Sequence, residues 1–137
     1  MTLVVDSSVA LAWVYSDEIS PGTQAVLEQV VSEGAWVPAL WHLEVANSLT
    51  AAVRRKRIDA RYRDQALSDL ARMDFKVDAE TSRQAWSTTA QLADRHRLTL
   101  YDAAYLELAL RVGLPLATLD EELRQAARSE GLPYLPA

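Results

Sequence analysis

The chain has 137 residues, half of them hydrophobic, with a formal net charge of -5 and no cysteine. That is enough for one well-packed core and one domain, 1–137, and it excludes a disulfide framework or a thiolate metal site. No apolar stretch reaches the roughly 20 residues of a membrane span and no basic, cleavable leader opens the chain, so a cytoplasmic protein without membrane association is expected; the acidic balance means that any grip on nucleic acid must come from locally placed cations.

In chain order, Leu3, Val4 and Val5 predict a short strand that ends at Asp6-Ser7-Ser8, polar side chains suited to capping a helix through Val9, Leu11, Ala12 and Trp13. Pro21-Gly22 predicts a loop, Thr23 to Glu33 a helix closed by Gly34, and Ala35 to Val37 a second strand. Pro38 is expected to open a long helix reaching about Arg57. A further amphipathic helix, from about Ala60 to Arg72, would turn Tyr62, Ala66, Leu67 and Leu70 inward. Phe75 to Val77 predicts a third strand, and a helix from Asp78 or Ala79 to about Arg95 follows. Then come a helix from Thr99 to Gly113, a strand from Leu116 to Thr118 that points at Asp120, a last helix, and a terminal strand at Pro133-Tyr134-Leu135. Strands alternating with helices predict an α/β fold whose parallel sheet is covered on both faces.

Four acids fall where such a sheet binds ligands, beyond the carboxyl ends of its strands. Asp6 and Asp120 follow strands directly, Asp102 lies in the first turn of the helix begun near Thr99, and Glu44 lies in the first two turns of the helix opened by Pro38. Glu44 shares a helix face with Leu40, Asn47 and Ala51, and Asp102 shares one with Tyr105, Leu106 and Ala109, so each carboxylate is expected on an inward stripe. Four carboxylates in one pocket cannot all stay ionised unaided, because a like-charged pair about 4 Å apart repels by about 4 kcal/mol at an effective dielectric of about 20. Proton sharing is one remedy. An all-oxygen set without histidine or cysteine suits Mg²⁺ or Mn²⁺ better, each ion taking one or two carboxylates and leaving positions open for phosphate oxygens. Such a centre can activate water and stabilise charge on a phosphodiester during in-line displacement.

Each of these residues also has a purely structural reading. Asp6 could serve only as a helix cap, Thr99 with Asp102 could form a capping-box-like pair, and Thr118 with Glu121 could form another that leaves Asp120 an ordinary first-turn acid. Glu44 could be a partly buried glutamate paired with a basic neighbour. His42 and His96 lack a second ligand at helical spacing and read as core or surface residues, while Trp13, Trp36, Trp41 and Trp86 are dispersed and read as core rather than as a base-stacking platform. Arg54, Arg55, Lys56 and Arg57 form the only dense basic run, either a solvated helix end or a contact to a phosphate backbone or an acidic partner. A phosphoryl-accepting receiver domain would share an acidic pocket, but it wants paired acids after the first strand and a lysine after the last; here Ser7 follows Asp6 and no suitable lysine exists.

The segments Leu3-Val4-Val5-Asp6-Ser7-Ser8-Val9-Ala10-Leu11, Pro38-Ala39-Leu40-Trp41-His42-Leu43-Glu44-Val45-Ala46-Asn47, Leu98-Thr99-Leu100-Tyr101-Asp102-Ala103-Ala104-Tyr105 and Leu116-Ala117-Thr118-Leu119-Asp120 resemble the successive motifs of PIN-domain ribonucleases, most nearly the VapC-type toxins of bacterial type II toxin–antitoxin pairs. The similarity runs almost end to end, with all four acids in the family's order and approximate spacing. It implies a three-layer α/β/α PIN-like domain with a parallel sheet of about five strands, and one or two Mg²⁺ or Mn²⁺ ions held by Asp6, Glu44, Asp102 and Asp120. It also implies endonucleolytic hydrolysis of RNA. Ser7, Ser8, Asn47 and Thr118 match positions that often support the acidic site in such proteins, and Arg54, Arg55 and Arg57 are candidate contacts to RNA or antitoxin. The resemblance further implies a homodimer and a cognate VapB-type antitoxin whose segment occupies the active groove. A PIN-like scaffold that binds RNA or protein without catalysis is the alternative.

Overall fold

The computed structural model describes residues 2–137. The β-branched pair Val4–Val5 forms a fully buried strand, β1, at the centre of a five-stranded sheet. On one side of it lie β2 (Ala35–Val37) and then β3 (Phe75–Val77); on the other lie β4 (Leu116–Ala117) and then β5 (Tyr134–Leu135). Every pairing is parallel, with Val4 opposite both Trp36 and Leu116, and Ala117 opposite both Val5 and Leu135. The first three strands step outward one way and the last two step the other way, so the order reverses between β1 and β4. In a doubly wound sheet the crevice beyond the carboxyl ends of those two strands is the ligand position.

Parallel neighbours need crossovers, and helices supply them. Between β1 and β2 run α1 (Ser7–Val14), a 3₁₀ turn at Ser16–Glu18, and α2 (Pro21–Glu33). The β2-to-β3 crossover consists of α3 (Trp41–Arg54) and α4 (Ala60–Ala71), and the one from β3 to β4 of α5 (Thr81–Ala85), α6 (Thr88–His96) and α7 (Leu100–Val112). A last helix, α8 (Glu121–Ser129), leads to β5. The result is the expected α/β/α layering around a parallel sheet of five strands. Helix α7 packs on β1, β4, α6 and α8 and buries every residue from Ala103 to Ala109, the all-round burial of a central helix. Among the described residues no helix is long and apolar enough to cross a membrane.

Four local expectations are corrected. Pro21-Gly22 is the first turn of α2 and not a loop: Ser20 and Thr23 cap the helix reciprocally, and proline at the first helical position gives up an N–H that would have no intrahelical partner. Gly22 also lets the C-terminal end approach, since a Cβ there would stand 2.8 Å from Pro136. The helix after Pro38 starts only at Trp41 and stops at Arg54, because Lys56 takes a left-handed φ of 62° and turns the chain. The helix expected from Asp78 to Arg95 is broken between α5 and α6, where Ser87 leaves helical geometry. Asp78 stays outside it, its carboxylate taken by Arg111 and Thr81. Of the aromatics expected inside, Trp86 is 94% exposed and Tyr62 45% exposed, whereas Trp41 is buried against Phe75.

Candidate active site

Strand β1 delivers Asp6 to the crevice, where the residue takes extended backbone geometry and caps α1 by accepting the Val9 N–H at 3.2 Å. Its other partners are hydroxyls. Ser8 donates to Oδ1 and Thr118 to Oδ2, each at 2.5 Å. Both hydroxyls in turn accept backbone N–H groups of the loop after β4, Ser8 from Leu119 at 2.9 Å and Thr118 from Asp120 at 3.0 Å. A hydroxyl has one proton to give, so accepting those N–H groups leaves it free to aim at the carboxylate, and the two loops are tied together through Asp6. Burial is the largest influence on Asp6, which is 4% exposed; it pushes the pKa up to about 6 against the lowering effect of Ser8, Thr118 and Val9, and the charge on Asp102 pushes the same way as burial.

Glu44 stands in the first turn of α3. Among the described residues no basic side chain forms a salt bridge with it. Its Oε1 accepts from the Ser7 hydroxyl at 2.6 Å and from the Tyr105 hydroxyl at 2.7 Å, so both donors fall on one oxygen and leave Oε2 without a hydrogen bond from the described residues. The inward stripe of α3 is Trp41, Val45, Leu49 and Ala52, whereas Glu44, Ala51 and the exposed Asn47 lie beside it, facing the crevice rather than the core as expected. Tyr105, 1% exposed on α7, was not a candidate from sequence. A signal existed all the same: a phenol three residues beyond Asp102 on a buried stripe must find an acceptor. Burial, and after it the Glu44 charge, raise the Tyr105 pKa, so the hydroxyl keeps its proton and remains a donor.

Asp102 sits in the first turn of α7, whose cap is Thr99, which accepts the Asp102 N–H at 3.1 Å. Its pKa is raised, first by burial and then by the charges of Asp120 and Glu44. Asp120 caps α8 by accepting the Leu123 N–H at 3.0 Å. This corrects the expected Thr118–Glu121 capping pair, since Thr118 is committed to Asp6 and to the Asp120 N–H. All four acids therefore lie at helix N-termini, where the macrodipole favours negative charge, and Asp102 feels each of the other three or is felt by it. Asp6 and Asp120 thus cap helices from the rim of the crevice itself.

The outlying candidates separate. Ser7, Ser8 and Thr118 hydrogen-bond the acids directly; exposed Asn47 makes no such bond but lines a cleft of about 500 Å³ together with Ser8, Ser48, Arg55 and Asp120. Arg57 donates to Asp17 at 3.1 Å and Glu18 at 2.7 Å and lies 3.7 Å over the Tyr15 ring. Arg54 is exposed and lies outside the cleft. His96 contacts Glu130 at 2.6 Å, away from the acids.

A donor set made only of carboxylate oxygens has the chemistry of a site for a hard divalent cation. As the side chains stand, no group of three or more His, Cys, Asp or Glu among the described residues is gathered closely enough to hold an ion. Like-charge repulsion opposes closer approach of carboxylates by themselves, and after burial it is the next contribution to the raised pKa of Asp102.

Residues 3–129 match the family model described as PIN domain. Over 125 residues the chain is 30% identical to Ribonuclease VapC3 of Pyrobaculum aerophilum, with 91% of this chain and 94% of the relative covered. Among solved structures, PAE2754 from Pyrobaculum aerophilum is similar with a TM-score of 0.65 at 25% identity, over 98% of this chain and 90% of that one. VapC20 of Mycobacterium tuberculosis, described as a sarcin-ricin loop cleaving toxin, also gives a TM-score of 0.65, at 17% identity over 91% of this chain and 95% of that one, a likeness of fold.

Proposed function

The chain belongs to the PIN-domain family, and from that premise we propose that it is a Mg²⁺- or Mn²⁺-dependent endoribonuclease, the toxin of a toxin–antitoxin pair, that cuts RNA at the rim formed by Asp6, Glu44, Asp102 and Asp120. The observation that carries the proposal is that Asp102 feels the charges of Asp120 and Glu44 and adds its own to Asp6, an electrostatic neighbourhood of acids up to 114 positions apart in the chain. The relative's printed name, a ribonuclease, supports RNA as the substrate. The same membership extends the proposal to a VapB-type antitoxin and a homodimer.

Asp6, Glu44, Asp102 and Asp120 would hold the cation. When bound there, it would neutralise charge on the scissile phosphate and on the departing oxygen and make an attacking water more acidic. The chain's own residues prepare for this. Ser8 and Thr118 fix Asp6, and Ser7 with Tyr105 fix one oxygen of Glu44, leaving the second without a hydrogen bond from the described residues. Helix N-termini behind all four acids lower the cost of concentrating negative charge before the ion arrives. Among the described residues, the side chains that hydrogen-bond Asp6 and Glu44 are all neutral hydroxyls, so cations for the RNA backbone must come from farther along the surface.

The proposal is tested by incubating a mixed RNA pool with the protein in Mg²⁺, in Mn²⁺ and in chelator, beside Asp102→Asn. Cleavage confined to wild type with metal is expected. Intact RNA under every condition, with retained RNA binding, would instead make the protein a non-catalytic scaffold.

A further inference from the structure

The α3 stripe that carries Glu44 continues away from the acids as Ser48, Ala51 and Arg55, at spacings of four, seven and eleven residues, which keep one face of a helix. Eleven residues at roughly 1.5 Å each put Arg55 about 16 Å from Glu44 along the helix axis. Ser48, Ala51 and Arg55 wall a cleft of about 500 Å³ that Ser8, Asn47 and Asp120 also line. Its volume falls within the roughly 300–1,000 Å³ of ordinary ligand sites. The span, at about 3.4 Å per stacked nucleotide, matches roughly five stacked nucleotides, or fewer in an extended strand.

Among the described residues that line the cleft, Asp120 is the acid of its rim end and Arg55 is the cation without a salt bridge. Two arginines line it, but Arg57 is bound by Asp17 and Glu18 and stacked on Tyr15, so the acidic Glu18 in the wall and Arg57 neutralise each other. Arg55 is exposed and makes no salt bridge among the described residues. Arg54, one position earlier, is turned about 100° round the helix and does not line the cleft.

We infer that this cleft is the track for a single-stranded RNA leaving the acidic rim, with Arg55 holding a backbone phosphate several nucleotides from the cut and Asn47 and Ser48 available to sugar or phosphate oxygens between them. This rests on the ribonuclease reading and adds to it which cation of the basic run positions substrate. A guanidinium bound to a backbone phosphate fixes the position of the RNA without reading its bases. Arg55 is thus a positioning residue, remote from the reacting atoms.

The test measures binding of a short mixed-sequence single-stranded RNA to the Asp102→Asn protein, which does not consume it, across a salt series, in otherwise unchanged, Arg55→Ala, Arg55→Lys and Arg54→Ala forms. Arg55→Ala should bind about fivefold more weakly, with the slope of log affinity against log salt smaller by about 0.7, one phosphate contact on a single strand. Arg55→Lys should keep most of the slope, Arg54→Ala should match the unmodified protein, and in the cleaving protein Arg55→Ala should raise KM with kcat little changed. Unaltered affinity and slope in Arg55→Ala would overturn the track while leaving the ribonuclease reading in place. Absence of any RNA binding, together with absence of cleavage by wild type, would overturn both.

Discussion

Asp6→Asn should stabilise the protein in chelator at neutral pH while abolishing cleavage. Asp6 is nearly fully buried, and its pKa rises from 3.8 to about 6, with desolvation the leading cause. A carboxyl with a raised folded-state pKa holds its proton more tightly in the native state than in the unfolded chain. Its favourable contribution is therefore complete below about pH 4 and is lost as pH climbs through about 6, beyond which the native state carries a buried anion. About two units at about 1.36 kcal/mol each make a loss of about 3 kcal/mol, which for a chain of this size corresponds to roughly 10 °C in melting midpoint. Asparagine keeps the shape, can still accept from Val9 and one hydroxyl and donate to the other, and never ionises. Thermal unfolding followed by circular dichroism in chelator should show a small gap between variant and wild type near pH 4 that widens to several degrees, variant higher, near pH 7.5. An Asn variant no more stable than wild type near pH 7.5, or a gap independent of pH, would refute the electrostatic reasoning.

Tyr105→Phe removes one of the two hydroxyls on Glu44 Oε1 while keeping the buried ring, so stability should fall by about 1 kcal/mol and Mn²⁺ affinity by roughly tenfold; calorimetric titration giving wild-type affinity would reject the positioning role. Millimolar Mn²⁺ should raise the wild-type melting midpoint and reverse the order of wild type and Asp6→Asn, which a melt with and without metal reads directly. Burial acts to raise the Asp78 pKa, yet hydrogen bonds from Arg111, the Glu80 N–H and Thr81 hold it below the ordinary value, so the Arg111 contacts stabilise the fold above about pH 4 and lose that effect as acid protonates the carboxylate. Arg111→Met strands Asp78 and Glu107, each 4% exposed, and should cost about 3 kcal/mol at neutral pH, the low end for a broken buried pair because the guanidinium is 28% exposed; urea unfolding should show the deficit shrinking toward about pH 3.

What could be read from sequence was what depends on spacing. The run Leu3-Val4-Val5 before Asp6, the Leu116-Ala117 strand before Asp120, and the Thr99 cap beside Asp102 each declare a strand end or helix start within a few residues, and together they put three acids on one rim. Glu44 was found for a partly mistaken reason. Its helix begins three residues later than Pro38 suggests, and the buried stripe is the one through Trp41 and Val45, so Glu44 faces the crevice from the stripe's edge. Pro21-Gly22 misled because proline marks helix starts as readily as loops, and the Ser20–Thr23 box decides between them. Tertiary partners were beyond reach. The Tyr105 hydroxyl meets Glu44 across 61 positions, Thr118 meets Asp6 across 112, and Arg57 is captured by Asp17 and Glu18 across about 40, contacts that no local pattern encodes.

That the four acids enclose a divalent ion is tested most directly by soaking crystals of the protein in Mn²⁺ and collecting anomalous diffraction. The proposal requires a peak at the β1–β4 crevice within about 2.1 Å of carboxylate oxygens from at least two of Asp6, Glu44, Asp102 and Asp120, and no such peak in Asp6→Asn. A crevice without anomalous signal at saturating Mn²⁺, or a peak bound only elsewhere on the surface, would contradict it.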